Sequence, residues 1–502
     1  MPPLYPVAAI RQIEQAAQAS LPPTTLLQRA GAAAAEAALA MLNYSAAGTA
    51  ILILAGPGNN GGDALEAAWY LDRAGADVTV VLFADPAALP TDARQALARA
   101  QTGSTVFLAP EDFPSTAGTA WTLAIDGLFG IGLTRPIAGT LRDAVDYLNA
   151  LSCPILSLDV PSGLDADTGN IVGPDGVAVH ASRTLTFIAD KPGLHTADGR
   201  DCAGVVSVVM LGIDAALLPP SPIYMNQPEL FIHVLPKRAH NTHKGSYGDV
   251  AVLGGAHSMA GAPVLAARAA AHCGAGRVFA GFVDAAPAYD NLQPELMFRA
   301  AGELDLAGKV LVAGPGMGMS RAANDLLAQT LHAASAIVLD ADALNLIAAE
   351  PGLQQKTAQR RAATLMTPHP LEAARLLNTS VGQVQTDRLQ AACELAQRFN
   401  AVVVLKGSGS VIARPDGMAV INATGNPALA TAGSGDVLAG VCGALLAQGI
   451  PVWETALAAV WLHGQAADNL VEQGVGPIGL VASELPVAIR AALNRLHGKI
   501  PA

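Results

Sequence analysis

The sequence is short of charge, aromatics and cysteine, and each shortage excludes something. Only 14% of its 502 residues are charged and 51% are hydrophobic. A chain this apolar can bury large cores and is not disordered. Aromatics amount to 4%, so the cores must be built from Ala, Val, Leu and Ile, as in parallel sheets under Ala-rich helices. The five cysteines (Cys153, Cys202, Cys273, Cys393 and Cys442) are odd in number, far apart and without a CxxC pair. That excludes a CxxC zinc or redox site and points to a reducing cytosol. The longest apolar runs, such as Val437–Ala447, fall far short of the roughly 20 residues of a membrane span. The first residues, MPPLYPVAAIRQIEQ, lack the basic region and apolar core of a signal peptide, so a soluble, unexported chain is expected. A net charge of −12 leaves no broad basic face for nucleic acid but permits a nucleotide in a local pocket.

At about 100–250 residues per domain, the length favours two or three domains. Residues 8–42 read as an Ala-rich helical stretch. A strand follows, Thr49–Ala55, then the glycine-rich turn GPGNNGGD, a helical run ALEAAWYLDRAG and the strand DVTVVLF. Further strands are expected at Thr122–Ile125, Pro154–Leu158 and Thr184–Ile188. Such alternation predicts a mostly parallel, doubly wound α/β sheet. The proline-rich Leu217–Pro228 breaks the pattern, so the expected organisation is a domain over 1–216, a linker over 217–225 and a second α/β domain over 226–502.

In the second domain, Gly433, Ser434 and Gly435 precede Asp436 and an apolar helix pattern. Glycines at a helix start expose backbone N–H groups, which with the helix dipole make an anion site. A carboxylate inside such a cradle suits a base that takes a proton from a hydroxyl while the N–H groups hold a phosphoryl group. Taken alone, GSGD also suits an ordinary N-cap. Lys406, Gly407, Ser408, Gly409 and Ser410 form a turn between two strand runs where phosphates can be gripped. His369 stands between two prolines at a strand end, a rigid placement facing substrate. Gly314–Gly316 (GPG) ends another strand, where open sheets bind ligands.

This region resembles the ribokinase-like fold, in which a GxGD motif carries the catalytic aspartate. More narrowly, HKGSYGDVAVLGG, VAGPGMG, LDADALN, TPHPLE, VVLKGSGS and NATGNPALATAGSGDVLAG resemble the NAD(P)H-hydrate dehydratase family over about residues 226–498. The resemblance implies phosphorylation of the C6 hydroxyl of (S)-hydrated NADH or NADPH, then loss of phosphate. It implies Ala262, Gly316, His369 and Asp436 for the hydrate, and Lys406–Ser410 with Gly435 for ADP. Mg2+ is implied, with Glu372 near it. Leu371, where the family has Gly, and Ala428–Leu429, where it has Gly–Met, depart from the pattern.

In the first domain Gly56, Gly58 and Gly61 satisfy GxGxxG between strand and helix, and Asp85 closes the next strand. That pattern supports a dinucleotide-binding dehydrogenase domain. Asn59, Asn60 and Asp63 favour another reading, since a pyrophosphate site wants bare glycine and no carboxylate. DGLFGIGLTR, from Asp126 to Arg135, and DVPSG, from Asp159, supply two more strand-end turns, and together the three define a cleft. This trio resembles the NAD(P)H-hydrate epimerase family over about residues 8–215, with a Rossmann-like sheet. The resemblance implies hydrate contacts from Asn59, Asn60, Gly61, Gly62 and Asp63, from Gly130, Ile131, Gly132, Leu133, Thr134, Arg135 and Pro136, and from Asp159. It implies K+ on Asn60, Asp126 and Ser162, and acid–base work by Asp159 with Lys191 as helper; Ala64 replaces the family's Gly. The implied partners are NADHX, NADPHX and ADP; a homo-oligomer is expected, and from charge and apolar runs no nucleic acid and no membrane. Two rivals stand beside this: a NAD-dependent dehydrogenase domain fused to a small-molecule kinase, and a first domain that only binds ligand or partner.

Overall fold

A computed structural model describes residues 2–498. It divides into two compact units, one of Pro3–Ser221 and one that runs from Pro222 through the last described residue and includes Pro2.

The N-terminal sheet is built from β1 (Ala50–Ala55), β2 (Asp77–Leu82), β3 (Val106–Leu108), β4 (Leu123–Gly127), β5 (Ile155–Leu158), β6 (Arg183–Phe187) and β7 (Val205–Val209). Its order is β3-β2-β1-β4-β5-β6-β7, and every neighbouring pair is parallel. Alternation along β1 explains why both faces are covered. Ile51 and Ile53 pack with Ala-rich helices on one side, and Leu52 and Leu54 pack with the helix Thr140–Ala150 on the other. The chain winds outward from β1 in one direction and from β4 in the other, which leaves a crevice between them. The stretch 8–42, expected as one helical run, is two helices, Val7–Gln18 and Thr25–Met41. Pro22 and Pro23 separate them by withholding N–H donors and blocking the α conformation of the preceding residue.

The C-terminal unit contributes β8 (Ile223–Met225), β9 (Asp249–Gly254), β10 (Arg277–Phe282), β11 (Met297–Ala300), β12 (Val310–Ala313), β13 (Ile337–Leu339), β14 (Thr364–Met366), β15 (Val402–Leu405), β16 (Ser410–Ala413) and β17 (Ala419–Asn422). They lie in the order β8-β17-β16-β15-β14-β13-β12-β9-β10-β11. The pairs from β11 to β15 are parallel, while β16 is antiparallel to both neighbours. β8 lies in the segment expected to be linker, yet it pairs with β17. Two apolar layers cover the sheet: Val250 and Val252 face the helix Ser434–Ala447, and Ala251 and Leu253 face the opposite layer. No helix among the described residues is long and apolar enough to cross a membrane.

Candidate active sites

In the N-terminal unit, residues following β1, β4, β5 and β6 surround a cavity of about 440 Å3 at the crevice. The helix Asn59–Arg73 begins inside the glycine motif, so Asn59–Gly62 is its first turn rather than a loop before it. A Cβ on Gly61 would stand 1.9 Å from the Gly56 carbonyl oxygen, and glycine alone lets the helix start this close to the strand end. Ala64 is fully buried against Gly127, whose missing side chain makes room for its methyl group.

Asp159 follows β5 with φ of 64°, in the left-handed region. Its Oδ2 accepts the Ile131 N–H at 3.0 Å, and its Oδ1 lies 2.9 Å from Lys191 Nζ. Lys191 is fully buried and also donates to Thr186 Oγ1 at 2.6 Å and the Phe187 carbonyl at 3.0 Å. Asp63 faces the same cavity. Burial first, then the charges of Asp159, Glu14 and Glu66, hold its carboxyl well above the usual range. Glu14 and Arg11, from the helix Val7–Gln18, also line the cavity. Sequence motifs had not pointed to them. The accessible signal was that helix's buried face of Ile10, Ile13 and Ala17.

Asp126 is buried below the cavity and gathers four donors: Leu128 N–H at 3.2 Å, Ser162 N–H at 2.9 Å, Ser162 Oγ at 2.5 Å and Ser157 Oγ at 2.8 Å. Burial raises its pKa, and these hydrogen bonds pull it back. The buried Asn60 amide has no hydrogen-bond partner for either atom among the described residues. Asn59, Asn60, Asp63, Asp159 and the run Gly130–Leu133 line the cavity, whereas Gly61 and Gly62 support it from behind. Thr134, Arg135 and Pro136 are exposed and lie outside the lining. Asp85 also lies outside it and accepts the Ala87 N–H of its own turn at 2.9 Å.

In the C-terminal unit the named residues follow the carboxyl ends of neighbouring strands. Gly316 comes after β12 and touches Met259 and Ala262. Asp340 ends β13, Thr367 to His369 end β14, and Lys406 ends β15. Lys406 Nζ donates to Asp340 Oδ1 at 2.8 Å, and Thr367 Oγ1 donates to the same oxygen at 2.8 Å. Burial alone would lower the pKa of Lys406, but Asp340, Glu372 and Asp436 outweigh it and hold it above the lysine value. Asp436 stands in the first turn of the helix Ser434–Ala447, whose N-cap Gly433 has φ of 89°. Burial, with Asp340 and Asp342 against Lys406, pushes its carboxyl up to about 7. A Cβ on Gly435 would lie 3.3 Å from Lys406 Nζ, so the GSGD and KGSGS motifs meet.

His369 caps the helix Pro370–Leu377. Its Nδ1 accepts the N–H groups of Leu371 and Glu372 at 3.1 and 3.3 Å, and Glu372 Oε2 accepts the His369 N–H at 2.8 Å. With Nδ1 an acceptor, the network assigns the proton to Nε2, 3.3 Å from Glu372 Oε1. Burial, chiefly, and Lys406 lower the pKa of His369, and burial raises that of Glu372 to about 7. Glu372 Oε2 thus serves the cap, while Oε1 faces the His369 ring. Asp468 bonds the Gly425 N–H and the Asn426 amide at 2.8 Å each, and Ala428 is buried in the turn they support. Leu371 is exposed. Asp340, Asp342, Asp468 and the buried His463, pushed down to about 4 by burial, escaped the sequence reading. Asp340 and Asp342 did carry a signal, as the two carboxylates of LDADALN, but were given no role of their own.

These features define a two-unit α/β enzyme, with a Rossmann-like sheet and cavity in the first unit and a ribokinase-like sheet in the second. Residues 23–193 match the YjeF-related protein N-terminus family, and residues 250–486 match the NAD(P)H-hydrate dehydratase family. A bifunctional NAD(P)H-hydrate repair enzyme of Coxiella burnetii is 36% identical over 501 residues, covering 98% of this chain and 99% of that protein. The chain belongs to the bifunctional NAD(P)H-hydrate repair enzyme family. An ADP-dependent (S)-NAD(P)H-hydrate dehydratase of Neisseria meningitidis is 45% identical over 272 residues, 53% of this chain and 92% of that protein. The crystal structure of an ADP/ATP-dependent NAD(P)H-hydrate dehydratase of Bacillus subtilis with ATP and Mg2+ is 29% identical, covers 54% of this chain and 98% of that one, and has a TM-score of 0.48.

Proposed function

We infer that the chain repairs hydrated NADH and NADPH: the first unit interconverts the R and S hydrates, and the second dehydrates the S form at the expense of ADP. The observation that carries this reading is Asp436, a partly buried carboxyl at a helix start beside the Lys406–Asp340 pair. Asp436 takes the proton of the C6 hydroxyl as that oxygen attacks the terminal phosphorus of ADP, and AMP leaves. Phosphate then departs from C6 with its bonding pair while C5 loses a proton, which restores the double bond. Hydroxide is a poor leaving group and phosphate a good one, so the nucleotide has a chemical purpose. Lys406, Gly407–Ser410 and Gly435 hold its phosphates, and Ala262, Gly316 and His369 face the hydrate.

In the first unit Asp159, oriented by Lys191 and the Ile131 N–H, performs the acid–base step at C6. The orphaned Asn60 amide, with Asp126 and Ser162, offers the oxygen ligands a K+ ion prefers. A bound K+ would add positive charge beneath the cavity. No group of three His, Cys, Asp or Glu that could hold a metal exists among the described residues. Mg2+ brought with bound ADP would neutralise phosphate charge. A cytosolic homo-oligomer completes the proposal, with light scattering to check the assembly.

The deciding experiment supplies purified protein with mixed R and S hydrates. With ADP, the dihydronicotinamide absorbance should recover until both epimers are consumed; without nucleotide it should not recover. Absence of recovery with either ADP or ATP would defeat the assignment and favour the dehydrogenase–kinase reading. Asp159→Ala should leave the R form to spontaneous epimerisation alone, at the protein-free rate.

A further inference from the structure

Arg388 is a large charged side chain that no sequence motif singled out, and it is 2% exposed. It opens the helix Arg388–Phe399, on the far side of the β15–β16 hairpin from the Asp436 helix. Its guanidinium donates to the carbonyls of Leu405 and Lys406 at 3.3 Å each and to Gln385 Oε1 at 2.8 Å. A Cβ on Gly407, whose φ is +140°, would lie 2.8 Å from both terminal guanidinium nitrogens. The fork thus fills the space a side chain at 407 would need, and the turn folds around it. Burial lowers the pKa of Arg388 to about 10, still well above neutral, so the group keeps its charge.

Lys406 is consequently held at three points. Its N–H donates to the Pro368 carbonyl at 2.9 Å, its carbonyl accepts from Arg388, and its ammonium pairs with Asp340. The last contact faces the Asp436 site. The middle one sets the path of the next four residues, which are backbone donors in an anion-binding turn. A buried cation directly under that turn also favours the negative charge of a ligand above it.

We propose that Arg388, braced by Gln385, is the positioning residue of the nucleotide turn and sets the affinity of this enzyme for the phosphates of ADP. The proposal rests on the reading of Lys406–Ser410 as the nucleotide site, and the test separates the two. Full-length Arg388→Met, Arg388→Lys and Lys406→Ala variants are compared for the KM of ADP, the KM of the hydrate, kcat, Tm and the epimerase rate of the same chain. Arg388→Met should raise the KM of ADP about tenfold, the effect of losing charge-assisted hydrogen bonds. Its kcat should move far less, and its hydrate KM and epimerase rate should stay unchanged. Arg388→Lys keeps the charge but loses the fork, so it should recover part of the ADP affinity at near-normal Tm. If Lys406→Ala raises the KM of ADP and neither Arg388 variant does, the positioning role is wrong and the nucleotide site stands. If Lys406→Ala also leaves it unchanged, the nucleotide reading itself fails. Parallel losses in ADP affinity, hydrate affinity and kcat that follow Tm would make Arg388 a purely structural residue. Should Arg388→Met not fold, the lysine variant decides alone: an unchanged KM for ADP overturns the proposal.

Discussion

Asp436 illustrates how a short motif and a distant environment combine in one residue. A base needs an ionised carboxylate, yet burial and the nearby Asp340 push its pKa up to about 7. Dehydratase kcat/KM should therefore climb as pH rises through neutrality and level off above it, a limb that a pH–rate profile would reveal. Asp436→Asn should lower turnover by about 10²–10⁴-fold and leave ADP binding intact; near-normal turnover would reduce Asp436 to a cap. The same shift has a consequence for stability. The folded carboxyl holds its proton more tightly than the unfolded one, so its contribution is complete below the ordinary aspartate pKa, about 3.9. It is lost as pH rises through about 7. Relative to the parent, Asp436→Asn should thus gain Tm at pH 8 and not at pH 4. On the proposed reading Lys406→Ala removes a point charge from phosphate, and its main effect should be on the KM of ADP rather than on that of the hydrate.

Among the elements, the helix Asn59–Arg73 is tightly constrained at its start. It begins against the end of β1, and Gly61 has no room for even one carbon beside the Gly56 carbonyl. Gly61→Ala should cost about 1–3 kcal/mol as overpacking and remove epimerase activity by shifting Asn59, Asn60 and Asp63. Dehydratase activity in the same chain is the control. If the variant epimerises normally, the helix start is more adaptable than its geometry implies. The glycine pattern was legible because backbone approach demands glycine wherever it occurs. The helix start itself was not legible, since Asn59–Gly62 has weak helix propensity and forms a turn of helix only because the neighbouring β4 and the helix Thr25–Met41 frame it.

For the whole molecule, the division between Ser221 and Pro222 sharpens an expectation drawn from the proline-rich break. Each unit exceeds 200 residues and carries its own covered sheet, enough to bury a core. Pieces ending at Ser221 and starting at Pro222 should each fold, the first epimerising without nucleotide and the second consuming only the S hydrate with it. A piece starting at Asn226 loses β8, the strand that covers the edge of β17. It should melt at lower temperature than the piece starting at Pro222, and equal Tm values by calorimetry would refute a stabilising role for β8. By itself the sequence determined the alternation of strands and helices, the two series, and the motifs GPGNNGGD, KGSGS and GSGD, because those signals lie in local periodicity and backbone freedom. The order of the strands came only with the tertiary structure, and so did everything that depends on it. Lys406 and Asp340 stand 66 residues apart in the chain and become partners because β13 and β15 end on the same side of the sheet, close enough for the lysine to reach across β14. Glu14 reaches the first cavity, and Arg388 reaches the turn after Lys406, for the same reason: side chains from separate helices converge where sheet order brings strand ends together, and no local pattern encodes that meeting.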